Sequence, residues 1–95
     1  GAWHSYEGYA RTVEDSIYLS PAVQGHGLGS RLLAALIEAS WEAGDRTMIA
    51  LIEAGNTASI HLHERYGFST VGTIPQAGEK LGQLLDLTIM SRSLH

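Results

Sequence analysis

The sequence predicts an α/β domain on a mixed sheet with flanking helices, in the order β–α–β–α–β–β. Three observations predict it. A β-rich stretch breaks at Pro21 and leads through a glycine-rich turn into an amphipathic helix. A short apolar run and a second capped helix follow, and two further strand-like segments close the chain. Such alternation implies a parallel strand pair around the first helix and an antiparallel hairpin at the end.

Taken in order, residues 1–12 are irregular and aromatic, with Trp3, Tyr6 and Tyr9 spaced by three. Ser16 to Ser20 is a strand that stops at Pro21. Leu28, Leu32, Leu33, Leu36, Ile37 and Trp41 recur at spacings of three and four, which predicts a helix ended by Gly44. Thr47 to Ile52 is a buried strand. Asn56 caps a second helix carrying Ala58, Ile60 and Leu62 and closed by Gly67. Phe68 to Ile74 alternates as a strand, and residues 75–83, with Pro75, Gly78 and Gly82, form a long turn. Leu84 to Met90 is the last strand, with Leu85, Leu87 and Ile89 on one face.

The 95 residues allow one domain, and an apolar fraction of 44% suits a packed core. No repeat or low-complexity tract divides the chain. A net charge of −4 with Lys80 as the lone lysine argues against nucleic acid or an anionic membrane as partner. With no cysteine, disulfides, thiolate zinc sites and a thiol nucleophile are excluded. No apolar run approaches the roughly 18–20 residues of a membrane span, and the expected location is the cytoplasm. The chain opens at Gly1 without an initiator Met, as a processed start or the interior of a longer protein would.

The most informative stretch is Gln24-Gly25-His26-Gly27-Leu28-Gly29-Ser30 between a strand and a helix. Closely spaced glycines let successive N–H groups turn into one concavity, and the helix N-terminus behind them adds free N–H groups and partial positive charge. A diphosphate fits such a curve without a lysine, and Arg31 could add a charge contact. The plain alternative is a tight turn that binds nothing. A Walker loop is excluded because no Gly-Lys-Ser/Thr follows. A dinucleotide fingerprint gains from Glu53 at the end of the second strand but fails on glycine spacing, since Gly29 is followed by Ser30.

Gln24, Gly27 and Gly29 satisfy Gln-x-x-Gly-x-Gly, and here the sequence resembles the GNAT superfamily of N-acetyltransferases. More narrowly it is similar to the phosphinothricin/methionine sulfoximine acetyltransferase branch. Thr12-Val13-Glu14-Asp15-Ser16-Ile17-Tyr18-Leu19, the glycine loop, Asn56-Thr57-Ala58-Ser59-Ile60, Leu62-His63-Glu64-Arg65-Tyr66-Gly67-Phe68 and Leu85-Asp86-Leu87 match in the family's order. The resemblance implies a GNAT-like sheet whose N-terminal elements are absent from this chain. Residues 1–13 would then be an acceptor-side segment, 14–67 the acetyl-CoA-binding core and 68–95 the C-terminal strands of a single partial domain. It also implies acetyl-CoA as co-substrate, no metal, and a sheet edge left open by the missing strands.

Acetyl transfer to an amine needs a neutral nucleophile, a polarised carbonyl and a proton for the departing thiolate. Glu14, beside Asp15 ahead of the first strand, reads as an ordinary solvated acid from its residues alone; by resemblance it is the general base. His63 alone reads as a surface histidine, with Ser59 one turn earlier able to meet its imidazole. The resemblance makes it the proton-handling group, as acid to the thiolate or partner of Glu14. By the same resemblance Ile17, Tyr18 and Leu19 pair with the pantetheine arm as an added strand would. Gln24, Gly25, His26, Gly27, Leu28, Gly29 and Ser30 hold the diphosphate, with Asn56 and Arg65 as further cofactor contacts, and Tyr9 and Tyr18 face the acceptor. A metal shared by His61 and His63 is rejected, because i and i+2 point about 200° apart on a helix.

The branch's usual basic residue is replaced by Tyr6, and its usual aromatics by Glu79 and Leu84. The loss of the natural bidentate partner for an acidic group argues against phosphinothricin as acceptor and leaves an amino acid or other small amine. The competing readings are a CoA- or dinucleotide-binding half-domain inactive on its own and, behind it, a Rossmann-type oxidoreductase fragment. A homodimer is left open.

Overall fold

The computed structural model describes residues 12–15, as backbone, and residues 27–95. Its elements run β1 (Thr12–Asp15), α1 (Leu28–Glu42), β2 (Thr47–Glu53), α2 (Thr57–Arg65), β3 (Ser69–Lys80) and β4 (Gln83–Ser93). The four strands form one sheet in the order β1-β2-β4-β3. β1 runs parallel to β2, whereas β4 is antiparallel to both β2 and β3. This is the β–α–β–α–β–β order and mixed sheet expected from the sequence.

Both helices end as their glycines predict. Gly44 has φ 81° and donates to the Trp41 carbonyl, while the Asp45 N–H reaches Ser40. At the end of α2, Gly67 has φ 88°, its N–H reaches Glu64, and the Phe68 N–H reaches the His63 carbonyl. Each is a Schellman closure, in which a left-handed residue turns the chain back to satisfy carbonyls the helix leaves open. Asn56 starts α2 as expected: its Oδ1 accepts the Ser59 N–H at 3.1 Å.

The core lies between the helices and one face of the sheet. Leu33 from α1, Met48, Ala50 and Ile52 from β2, Phe68, Met90 from β4 and Leu94 form one buried cluster. Register explains the choice of face, since Ala50 pairs with Met90 and Ile52 with Thr88, so these side chains share one side of the pleat. Leu85, Leu87 and Ile89 do share a face, but it is the half-exposed one. On α1 the apolar stripe is broader than the buried strip: Leu33 is fully buried, while Leu28, Leu32 and Leu36 stay about two-fifths exposed.

Two boundaries differ from the sequence reading. The first described strand is Thr12–Asp15, so Glu14 lies inside β1, opposite Ile49 of β2, rather than ahead of a strand. The expected strand at Ser16–Ser20 falls outside the described residues. The long turn expected over 75–83 is instead a hairpin. β3 continues to Lys80, and Leu81 (φ 52°) with Gly82 (φ 78°) makes a two-residue connection of the type I′ kind. Pro75 is accommodated because β3 is an edge strand and its register slips between Ile74 and Gly78. Inside that bulge Gln76 donates its N–H to the Asp86 carboxylate at 2.9 Å.

Candidate active site

The first turn of α1 is the part of the glycine loop among the described residues; Gln24, Gly25 and His26 lie outside them, as do Tyr9, Ile17, Tyr18 and Leu19. Gly27 is the N-cap at φ 75°, a left-handed conformation that suits glycine, and no side chain among the described residues caps the helix there. The first helical bond runs from the Arg31 N–H to the Gly27 carbonyl. The N–H groups of Leu28, Gly29 and Ser30 therefore precede the helical ladder. No acidic residue stands in this turn, and a Cβ added at Gly27 would meet nothing within 4 Å. Gly27 and Leu28 are exposed and Gly29 is buried, and amides ahead of the helical ladder at a positive helix end suit an anion.

His63 is not the surface residue its isolated reading suggests. Its side chain is 1% exposed, and its ring meets Phe68 edge-on at 5.0 Å. It occupies the position three before the α2 cap, and Phe68 is the residue after the left-handed glycine. The two rings thus make the apolar contact that commonly accompanies this helix end. Nδ1 donates to the Ser59 carbonyl at 2.7 Å, one turn back as the spacing suggests, though to backbone and not to the hydroxyl. A carbonyl can only accept, so Nδ1 bears a proton and, in the neutral ring, Nε2 is the lone-pair nitrogen. His61 is exposed and His63 buried, so the two imidazoles lie on opposite sides of α2. Among the described residues no group of three or more His, Cys, Asp or Glu could hold a metal ion.

Asn56 stands at the start of α2 and His63 near its end. Arg65 is exposed in a groove of about 690 Å³ beside the second half of α1, with Ile37, Trp41 and Arg92. What sequence reasoning missed is the joint between the helices: the Ser30 and Tyr66 hydroxyls are hydrogen-bonded. The signal was the row Ser30, Ala34, Ile37, Trp41 at helical spacing, which faces the end of α2.

The acetyltransferase (GNAT) family model matches residues 1–68. The chain belongs to the GNAT family. It is 46% identical to the L-amino acid N-acyltransferase MnaT of Escherichia coli over 99% of this chain and 55% of that protein. It is 49% identical, with the same coverage, to the L-methionine sulfoximine/L-methionine sulfone acetyltransferase of Pseudomonas paraeruginosa. Among solved GNAT-like structures, yncA from Salmonella typhimurium, determined with its cofactor acetyl-CoA, superposes with a TM-score of 0.86 at 46% identity. That match covers 100% of this chain and 55% of yncA. The chain thus spans about half the length of these GNAT relatives. No helix among the described residues is long and apolar enough to cross a membrane.

Proposed function

We propose that this chain carries the acetyl-CoA-binding part of an N-acetyltransferase whose acceptor is the amine of an amino acid or other small amine. The observation that carries the reading is the first turn of α1, where Gly27 is left-handed, no side chain among the described residues caps the helix, and the first amides precede the helical ladder. Relatives named for acyl transfer to L-amino acids and to methionine sulfoximine support the acceptor class. The acetyl-CoA in yncA supports the donor.

Bound acetyl-CoA would supply a thioester carbonyl for the neutral amine to attack, the carbon–sulfur bond breaking as the amide bond forms. The amides of Leu28, Gly29 and Ser30, with Gln24, Gly25, His26 and Gly27, hold the diphosphate. Ile17, Tyr18 and Leu19 bind the pantetheine arm along the strand edge, with Asn56 and Arg65 as further contacts. Tyr9 and Tyr18 face the acceptor. Glu14 takes the proton that the amine sheds. Nδ1 of His63 is held by the Ser59 carbonyl, and the imidazole handles the second proton, as acid to the departing thiolate or as partner of Glu14. A location in the cytoplasm accords with this chemistry.

Calorimetric titration with CoA and with NAD tests the cofactor. CoA binding with NAD silent is expected, and the reverse result refutes the assignment. Because the chain spans about 55% of its relatives, a binding half-domain without activity is the second reading. Thiol release from acetyl-CoA across a panel of amino acids separates the two: release by this chain supports the enzyme, and CoA binding without release supports the half-domain.

A further inference from the structure

The Ser30 and Tyr66 hydroxyls lie 36 positions apart in sequence and are hydrogen-bonded between the first turn of α1 and the end of α2. Tyr66 is held on its own side. It is the C-cap of α2, its N–H donates to the His63 carbonyl at 3.0 Å, and its side chain packs against the core cluster. Ser30 is the third helical residue after the Gly27 cap.

That position matters because of what a conventional cap would do there. A Ser, Thr, Asp or Asn at the N-cap restrains the first turn by accepting the N–H of the second or third helical residue. Those donors are the Gly29 and Ser30 amides, two of the groups an anion would need. α1 has Gly27 instead and, among the described residues, no side-chain cap, so those donors are not taken by one and the turn lacks that restraint. A serine hydroxyl without a distant partner also tends to bond to nearby backbone and disturb the local helix. The Tyr66 hydroxyl engages it, so the turn is restrained through a side chain and not through its amides.

We infer that Tyr66 is a positioning residue for the diphosphate of the cofactor, fixing the first turn of α1 through the Ser30 hydroxyl. The inference rests on the reading of that turn as the diphosphate cradle. Through its backbone bond to the His63 carbonyl, Tyr66 also ties the cradle to the helix end that carries the proposed proton-handling imidazole. Preorganisation of this kind appears as affinity, because a turn already in place loses less freedom on binding.

The test is a double-mutant cycle on the full chain, with Ser30→Ala, Tyr66→Phe and the double variant titrated with CoA. Pantetheine, which has the thiol arm and no diphosphate, serves as the control ligand, and thermal melting checks folding. Each single variant is expected to raise the Kd for CoA about fivefold, the scale of one neutral hydrogen bond. The double variant should lose no more than either single one, because both remove the same contact. Pantetheine affinity should stay within about twofold, and Ser30→Thr, which keeps the hydroxyl, should restore CoA affinity. Independent losses multiplying to about 25-fold, an equal loss for pantetheine, or unchanged CoA binding in both single variants would overturn the positioning role alone. A wild-type chain silent to CoA would instead overturn the cradle and the positioning role together.

Discussion

Replacing His63 by Ala separates its packing from its chemistry. The side chain is 1% exposed, meets Phe68 at 5.0 Å with an interplanar angle of 79°, and donates to the Ser59 carbonyl at 2.7 Å. An edge-on aromatic pair contributes about 1 kcal/mol beyond its area, and a neutral hydrogen bond about another 1 kcal/mol. The cavity left by a buried ring adds roughly 1–2 kcal/mol more, and the better helix propensity of Ala offsets about 0.5 kcal/mol. The net loss should be about 3 kcal/mol, a large share of the stability of a small domain. Urea unfolding followed by far-UV circular dichroism measures it, as a lower midpoint at unchanged slope. A loss below about 1 kcal/mol would mean that the imidazole is not packed as described. Because Ala confounds folding with catalysis, His63→Phe is the matching functional variant. It keeps the ring and removes the exchangeable proton, so stability should fall by only about 1 kcal/mol. If His63 moves protons, acetyl transfer should fall about 100-fold or more. Unimpaired transfer by a folded His63→Phe protein would confine the residue to a structural role.

Substitutions at two further positions probe the surrounding framework. Asn56→Ala removes the cap on the Ser59 N–H and should cost about 1 kcal/mol in the same unfolding assay. Asn56→Asp keeps that cap and loses only the amide donor, so near-wild-type stability with weaker CoA binding would separate the ligand contact from the cap. Leu81→Asn should stabilise the chain by roughly 0.5 kcal/mol, since Leu81 has φ 52° and is 94% exposed, and Asn tolerates the left-handed region better. A lower melting temperature for Leu81→Asn would contradict the turn geometry.

Local signals were legible where they act locally. Asn56, Gly44 and Gly67 mark helix ends through hydrogen bonds within a few residues, and each does so in the structure. The helix starting at Leu28 and the strand starting at Thr47 follow from periodicity and bounded apolar runs. The hairpin was misread because Pro75, Gly78 and Gly82 look alike as turn residues. Only pairing with β4 absorbs Pro75 in a bulge and leaves the reversal to Leu81 and Gly82. Similarly, the alternation of β4 offers two faces, and its register with Ala50 and Ile52 assigns the core to Thr88 and Met90.

By itself, the sequence determined the order of elements, the helix boundaries, the glycine entrance to α1 and the family, because each depends on neighbouring residues or on a motif at fixed spacing. Only the tertiary structure decided that His63 is buried against Phe68, that its proton sits on Nδ1, and that Ser30 meets Tyr66. Burial and the helix-to-helix contact arise when α1 and α2 settle on the same face of the sheet. The Ser59–His63 spacing allowed the imidazole contact, but only the folded geometry chose a carbonyl over a hydroxyl as its acceptor.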